Sequence, residues 1–187
     1  MSVSAHATHE ADGYRVSALE LGSHSATHVD APSHLVPDGR DLDAFDVGTF
    51  AFDAVRIDCT DVGARDPIGR DAVAAAPTDA DLLVVHTGWS DHWGTDRYLD
   101  HPYLSADAAD WLAGEGLHVG VDAPRVDPSP PGATDGRPDG EPEGFPAHRA
   151  LLGSDRLLVE NLRNLAAPPD RFELCAYPLS VPGGDGA

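Results

Sequence analysis

The sequence predicts an α/β protein of a single domain, with a mixed, barrel-like β core and flanking helices, and three observations lead there. The chain has 187 residues, enough for one domain with a sizeable core. Its apolar stretches are short, and the run Leu82–Val85 is of the kind found in a strand buried on both faces. Strand-like segments outnumber helix-like ones and alternate with them irregularly, without repeats or an inter-domain linker. Residues 1–13 are expected to form a flexible tail, and 14–187 the domain.

Each element has its own signal. From Tyr14 to Leu21, Tyr14, Val16 and Ala18 alternate with Arg15, Ser17 and Leu19, which favours a strand. Phe50 to Cys59, with Phe52, Val55 and Ile57, reads as another. Ile68 to Ala76 is Ala-rich and suits a short helix ended by Pro77. Asp81 to His86 is the buried strand. Ser105 can cap a helix through Leu112, with Asp107 in its first turn and Gly114 and Gly116 closing it. Leu117 to Val121 is strand again. Asp122 to Gly144 is rich in Pro, Gly and Asp and reads as a long loop, the class of segment that is functional or disordered. A short helix around Phe145 to Leu152 follows, then strands Leu157 to Leu162 and Arg171 to Tyr177.

Composition excludes several functions. The formal net charge is -20, from 32 Asp and Glu against 12 basic residues, every one of them Arg. Phosphate contacts need clustered cations, so neither a nucleic acid nor an anionic membrane surface is an expected partner. Scattered, Asp-rich acidity without lysine fits a halophilic protein, since salt screens self-repulsion, and equally a high-GC genome at ordinary salt; composition does not separate the two. Cys59 and Cys175 are too few for a disulfide scaffold. The N-terminus lacks the basic and apolar regions of a secretory signal, and no apolar run approaches the roughly 20 residues of a membrane span. A cytoplasmic protein is the expectation.

Chemistry concentrates in His24-Ser-Ala-Thr-His28-Val-Asp30-Ala-Pro32-Ser-His34. His24, His28 and Asp30 share parity, so an extended backbone would turn all three to one face. A helix would also join His24 to His28, but Pro32 and the β-branched Thr27 and Val29 argue against it. Two imidazoles and a carboxylate suit zinc, manganese or iron. Pro32 then turns the chain, so His34 need not ligate the same ion. Glu160 lies amid Leu157, Leu158, Val159 and Leu162, where a carboxylate is costly unless paired or metal-bound. Asp122, ending a strand, either orients a ligand or caps the next turn, and the structural role is the expectation.

This run resembles the signature of the metal-dependent cyclase-type hydrolases, His-x-Gly-Thr-His-x-Asp-x-Pro-x-His, whose best-known members are bacterial kynurenine formamidases. The resemblance continues through Asp12-Gly-Tyr-Arg-Val, Thr87-Gly-Trp89, Leu104-Ser-Ala-Asp-Ala-Ala with Trp111, His148-Arg-Ala-Leu-Leu and Leu158-Val-Glu160-Asn-Leu. It implies a swivelling β/β/α fold and a site for two divalent ions, zinc or manganese. By motif position, His24, His28 and Asp30 would hold one ion and His148 the other, with Asp30 and Glu160 shared. His34 would be the general acid/base, near the metals but not bound to them. The implied reaction is that of an arylformamidase in tryptophan catabolism, in which a metal-bound hydroxide opens N-formylkynurenine to kynurenine and formate. A related isatin-type hydrolase of cyclic amides and a truncated, metal-binding paralogue without turnover are the alternatives. The family also implies a homodimer or homotetramer and a small-molecule amide substrate.

The chain departs from the pattern in two places. Ala26 stands where the signature has Gly, which matters if that position needs a positive φ. Residues 1–13 stand where family members carry a further strand and a proline-rich segment that help shape the substrate pocket.

Overall fold

Period-two alternation in the strands decides the architecture. The computed structural model describes residues 1–130 and 138–187. In chain order the elements are β1 (Ser2–Ala7), α1 (His9–Asp12), β2 (Val16–Glu20), β3 (His28–Asp30), β4 (Ala51–Asp58), β5 (Pro67–Ile68), α2 (Arg70–Ala74), β6 (Leu82–His86), β7 (Tyr103–Leu104), α3 (Ala106–Glu115), β8 (His118–Val121), α4 (Pro146–Gly153), β9 (Leu158–Glu160) and β10 (Arg171–Cys175).

The centre is a six-stranded mixed sheet in the order β10-β4-β6-β8-β9-β3. Strands β4, β6, β8 and β9 run parallel, while β10 and β3 are added antiparallel at either side. Leu83, Val85, Val119, Val121 and Leu158 point to one face, where Val73 of α2, Ala108 and Leu112 of α3 and Leu151 of α4 pack on them. Their neighbours Leu82, Val84, Phe52, Ala54, Leu157 and Val159 point to the other, against Val29, Ala31, Leu42 and Phe50. Each central strand is therefore apolar on both sides, which is why Leu82–Val85 reads as an unbroken run. Helices cover one face, and the short turns around residues 42–50 cover the other.

The expected strands and helices from Phe50 onwards lie close to where the sequence places them, except that Ile68 belongs to β5 rather than the helix and Gly114 lies inside α3 instead of closing it. Ser105 caps α3 by accepting from the Ala108 amide, and Gly116 ends it at φ 82°. Part of the expected loop Asp122–Gly144, residues 131–137, lies outside the described residues; the rest forms no helix or strand. The expected tail 1–13 contains β1, which pairs antiparallel with β2, and the helical turn α1. Every residue of β2 is exposed, so its alternation does not mark a core face. No helix among the described residues is long and apolar enough to cross a membrane.

Candidate metal centre

Pairing of β3 with β9 sets His28 opposite Glu160 and Asp30 opposite Leu158. Val29 and Val159 take the opposite face, so His28, Asp30 and Glu160 share the face on which the helices pack. The start of α4 overhangs this corner and delivers His148; Pro146 begins the helix, with its φ already helical. A 3-10 turn over Pro32–His34 folds His34 back over the strand. His24 arrives differently from the expectation. Parity along an extended chain holds for His28 and Asp30, but Ala26 sits at φ 59°, and the chain turns there rather than running straight. The turn, not a strand, brings His24 to Asp30.

All six residues singled out from the sequence meet at one cavity of about 280 Å³, which Leu35, Pro124, Arg125 and Phe145 also line. The two carboxylates each face two ways. Asp30 Oδ1 lies 2.7 Å from His24 Nδ1 and 3.0 Å from His28 Nε2, while its Oδ2 lies 3.7 Å from His148 Nε2. Glu160 Oε2 lies 3.7 Å from His28 Nε2, and its Oε1 lies 3.2 Å from His148 Nε2. Among the described residues, two groups have ligand atoms close enough for one ion: His24, Asp30 and His34, and His28, Asp30 and Glu160. Asp30 belongs to both.

The donor set fits divalent cations. His28 Nε2 and Asp30 Oδ2 are buried, and among the described residues no well-formed hydrogen bond reaches either. Such orphaned atoms are costly in a protein interior unless something of opposite charge serves them. Nitrogen and oxygen donors in this mixture suit a divalent transition-metal ion.

Electrostatics separate His34 from the other three histidines. Burial opposes a charged His148, yet the Glu160 charge and bonds to Asp127 and Glu160 outweigh it and push its pKa up to about 10. His24 and His28 are also raised, against their burial, chiefly by Asp30. Asp30 lies well below the carboxylate range despite burial, through its bond to His24 and the close His28 ring, whereas burial and the Asp30 charge raise Glu160. The buried anions thus draw positive charge onto the rings that touch them. His34 alone is lowered, first by its burial, and so is neutral at pH 7.

Surrounding residues hold this corner. Asp122, at the end of β8, accepts from the Thr87 amide and hydroxyl and the Gly88 amide, so the turn it holds is the one after the neighbouring strand β6 and not the next turn of its own strand. Tyr98 donates from its hydroxyl to Asn161 Oδ1 just beyond Glu160. Asp127 and Asp185, which touch His148 and His24, carry no sequence signal: neither has a motif spacing to the ring it meets.

The Cyclase family model matches residues 2–128. Over 182 residues the chain is 32% identical to the kynurenine formamidase of Erythrobacter litoralis (strain HTCC2594), covering 94% of this chain and 75% of that protein. It is 34% identical over 177 residues to the kynurenine formamidase of Salinibacter ruber (strain DSM 13855 / M31), covering 91% and 75%. Isatin hydrolase A from Ralstonia solanacearum has the same fold, with a TM-score of 0.84 at 24% identity over 100% of this chain and 78% of that one. A potential metal-dependent hydrolase with cyclase activity superposes with a TM-score of 0.73 at 25% identity, over 99% and 82%. With the family's histidine–aspartate run folded around one cavity and this extent of likeness, the chain belongs to the Cyclase family.

Proposed function

We propose that the protein is a metal-dependent amide hydrolase, an arylformamidase that converts N-formylkynurenine to kynurenine and formate. The observation that carries this is the two-way placement of Asp30 and Glu160, each with one oxygen toward the His28 side and one toward His148. Carboxylates so placed offset the repulsion between two neighbouring cations. His24, His28 and Asp30 would hold one ion and His148 the other, with Asp30 and Glu160 shared between them. Two divalent ions, zinc or manganese, would supply an acidified water and a polarised amide carbonyl when bound.

The chain's own residues do the rest. His34, neutral at pH 7 and a wall of the same cavity, accepts the proton of the attacking water and returns it to the leaving aryl nitrogen. Phe145 and Leu35 offer an apolar surface to an aromatic ring. Arg125 also lines the cavity, and its guanidinium lies 5.9 Å from the Phe145 ring centre. A guanidinium beside an aromatic wall favours an aryl amide that also carries a carboxylate. N-formylkynurenine has both, whereas a neutral cyclic amide such as isatin has no anion to offer Arg125.

We read the protein as cytoplasmic and as a homodimer or homotetramer. Val3, Val16 and Leu19 stand exposed on the β1–β2 hairpin, and a two-stranded hairpin alone is marginal in water, so a second copy covering it supports assembly. Light scattering after gel filtration checks this; a monomer at micromolar concentration removes it.

The decisive test is hydrolysis of N-formylkynurenine by the purified protein, with and without a chelator, beside isatin under the same conditions. Formate release that the chelator abolishes and added zinc or manganese restores is the expected result. Turnover of isatin alone would move the reading to cyclic amides. Metal bound with turnover of neither would leave a metal-binding protein.

A further inference from the structure

A ligand histidine offers one ring nitrogen to its metal, and the group that accepts from the other nitrogen decides which one. Each of the three histidines has a different outer acceptor. His28 places Nδ1 2.8 Å from the Ala26 carbonyl, which leaves Nε2 inward beside Asp30 and Glu160. His148 places Nδ1 2.6 Å from Asp127 Oδ2 and likewise turns Nε2 inward. His24 is reversed: Nε2 lies 3.1 Å from Asp185 Oδ2, and Nδ1 faces Asp30.

The two carboxylates are built unlike each other. Asp127 is 1% exposed, and the Ala147 and His148 amides at the start of α4 also donate to it. Ring, helix start and carboxylate are thereby one rigid unit. Asp185 has a side chain 46% exposed and lies on a segment that pairs along β3, where the Ala31 amide donates to its carbonyl. Its neighbour Gly186 backs the His24 ring so closely that a Cβ there would fall 2.6 Å from Cε1.

We propose that Asp127 and Asp185 are positioning residues that fix, each for a different metal ion, which nitrogen its histidine presents: Nε2 from His148 and Nδ1 from His24. This rests on reading the site as a two-ion centre. Replacing either Asp by Asn removes the charge that holds the ring N–H and leaves an amide able to donate in its place, so the wrong tautomer is admitted. Because Asp127 is buried and Asp185 is half-exposed, the first should matter more.

Calorimetric titration of metal-stripped protein with Mn²⁺ tests this. The wild type should bind two ions per chain. Asp127→Asn should weaken one ion by about 10- to 100-fold and leave the other within about twofold. Asp185→Asn should weaken the other ion, by about tenfold or less. Both variants weakening the same ion, both ions falling together, or no change in either variant would overturn the proposal. Should Asp127→Asn fail to fold, the wild type decides: ¹⁵N imidazole spectra of the Zn²⁺-loaded protein should show N–H at Nδ1 of His28 and His148 and at Nε2 of His24. Any other tautomer pattern overturns it. A wild type that binds no ion at all would instead sink the two-ion reading on which the proposal stands.

Discussion

Ala26 is held where an L-residue with a Cβ is uncomfortable, at φ 59°, between two histidines of the site. The left-handed region costs such a residue roughly 1–2 kcal/mol, and glycine, which the family signature has here, takes it freely. Ala26→Gly should therefore stabilise the protein, net of the extra freedom glycine gives the unfolded chain, by about 1 kcal/mol, seen as a melting temperature higher by about 2–4 °C. A lower melting temperature would show that the Ala26 methyl contributes packing that outweighs the strain. His34→Ala should keep both ions and lose turnover by about 10²- to 10⁴-fold. Unchanged turnover would remove His34 from the chemistry. Asp30→Ala should abolish metal binding in the same calorimetric titration, since it takes away the one carboxylate common to both groups of ligand atoms. At this scale the sequence was eloquent wherever ligands are close in the chain: three histidines and an aspartate within eleven residues place themselves. Glu160 was legible as a carboxylate in an apolar strand. Asp127 and Asp185 were not, because a partner that meets its ring only through folding leaves no local pattern.

His118, the first residue of β8, couples this strand to β9 by more than backbone bonds. Its Nδ1 accepts from the Leu157 amide at 2.8 Å, and that acceptor exists only in the neutral ring. Burial, with help from Arg156, pushes its pKa down to about 4 from an ordinary 6.5. Because the unfolded chain binds this proton more readily, the stability it contributes is complete above pH 6.5. That contribution is lost as the pH falls toward 4. A shift of this size is worth up to about 3 kcal/mol. Urea midpoints measured between pH 7 and 4 should fall, and His118→Asn, which keeps an acceptor but does not titrate, should flatten that fall. An equal slope in the variant would place the acid sensitivity elsewhere. A continuous apolar run marks β6 and a Ser–Gly pair of caps marks α3, because each signal lies wholly within the element it delimits. Strand β3 carries no boundary signal of its own, because its three residues gain their partner from β9, far along the chain. Alternation in β2 gave the right element and no information on burial, since polarity patterns record a face only where a core lies behind it.

Across the whole molecule, a net charge of -20 on 187 residues makes self-repulsion a global term. Raising ionic strength from 0.1 M to 1 M shortens the screening length from about 10 Å to about 3 Å. The melting temperature should climb through molar potassium chloride, and one that stays flat would remove salt adaptation. The α/β class and the mixed sheet followed from composition and alternation, but strand order did not: nothing local announces that β3 is laid beside β9 rather than β4. That order gives one quiet feature a wider meaning. Residues 185–187 pair along the free side of β3, with Ala187 accepting from the Val29 amide and Asp185 from that of Ala31. Val29 and Ala31 therefore flank Asp30 on a strand that is sewn on both sides. Were that seam to peel, the same event would expose two amides and carry Asp185 away from His24. Local order at the sheet margin and integrity of the catalytic corner become a single cooperative opening, and solvent exchange at Val29 and Ala31 is its clock.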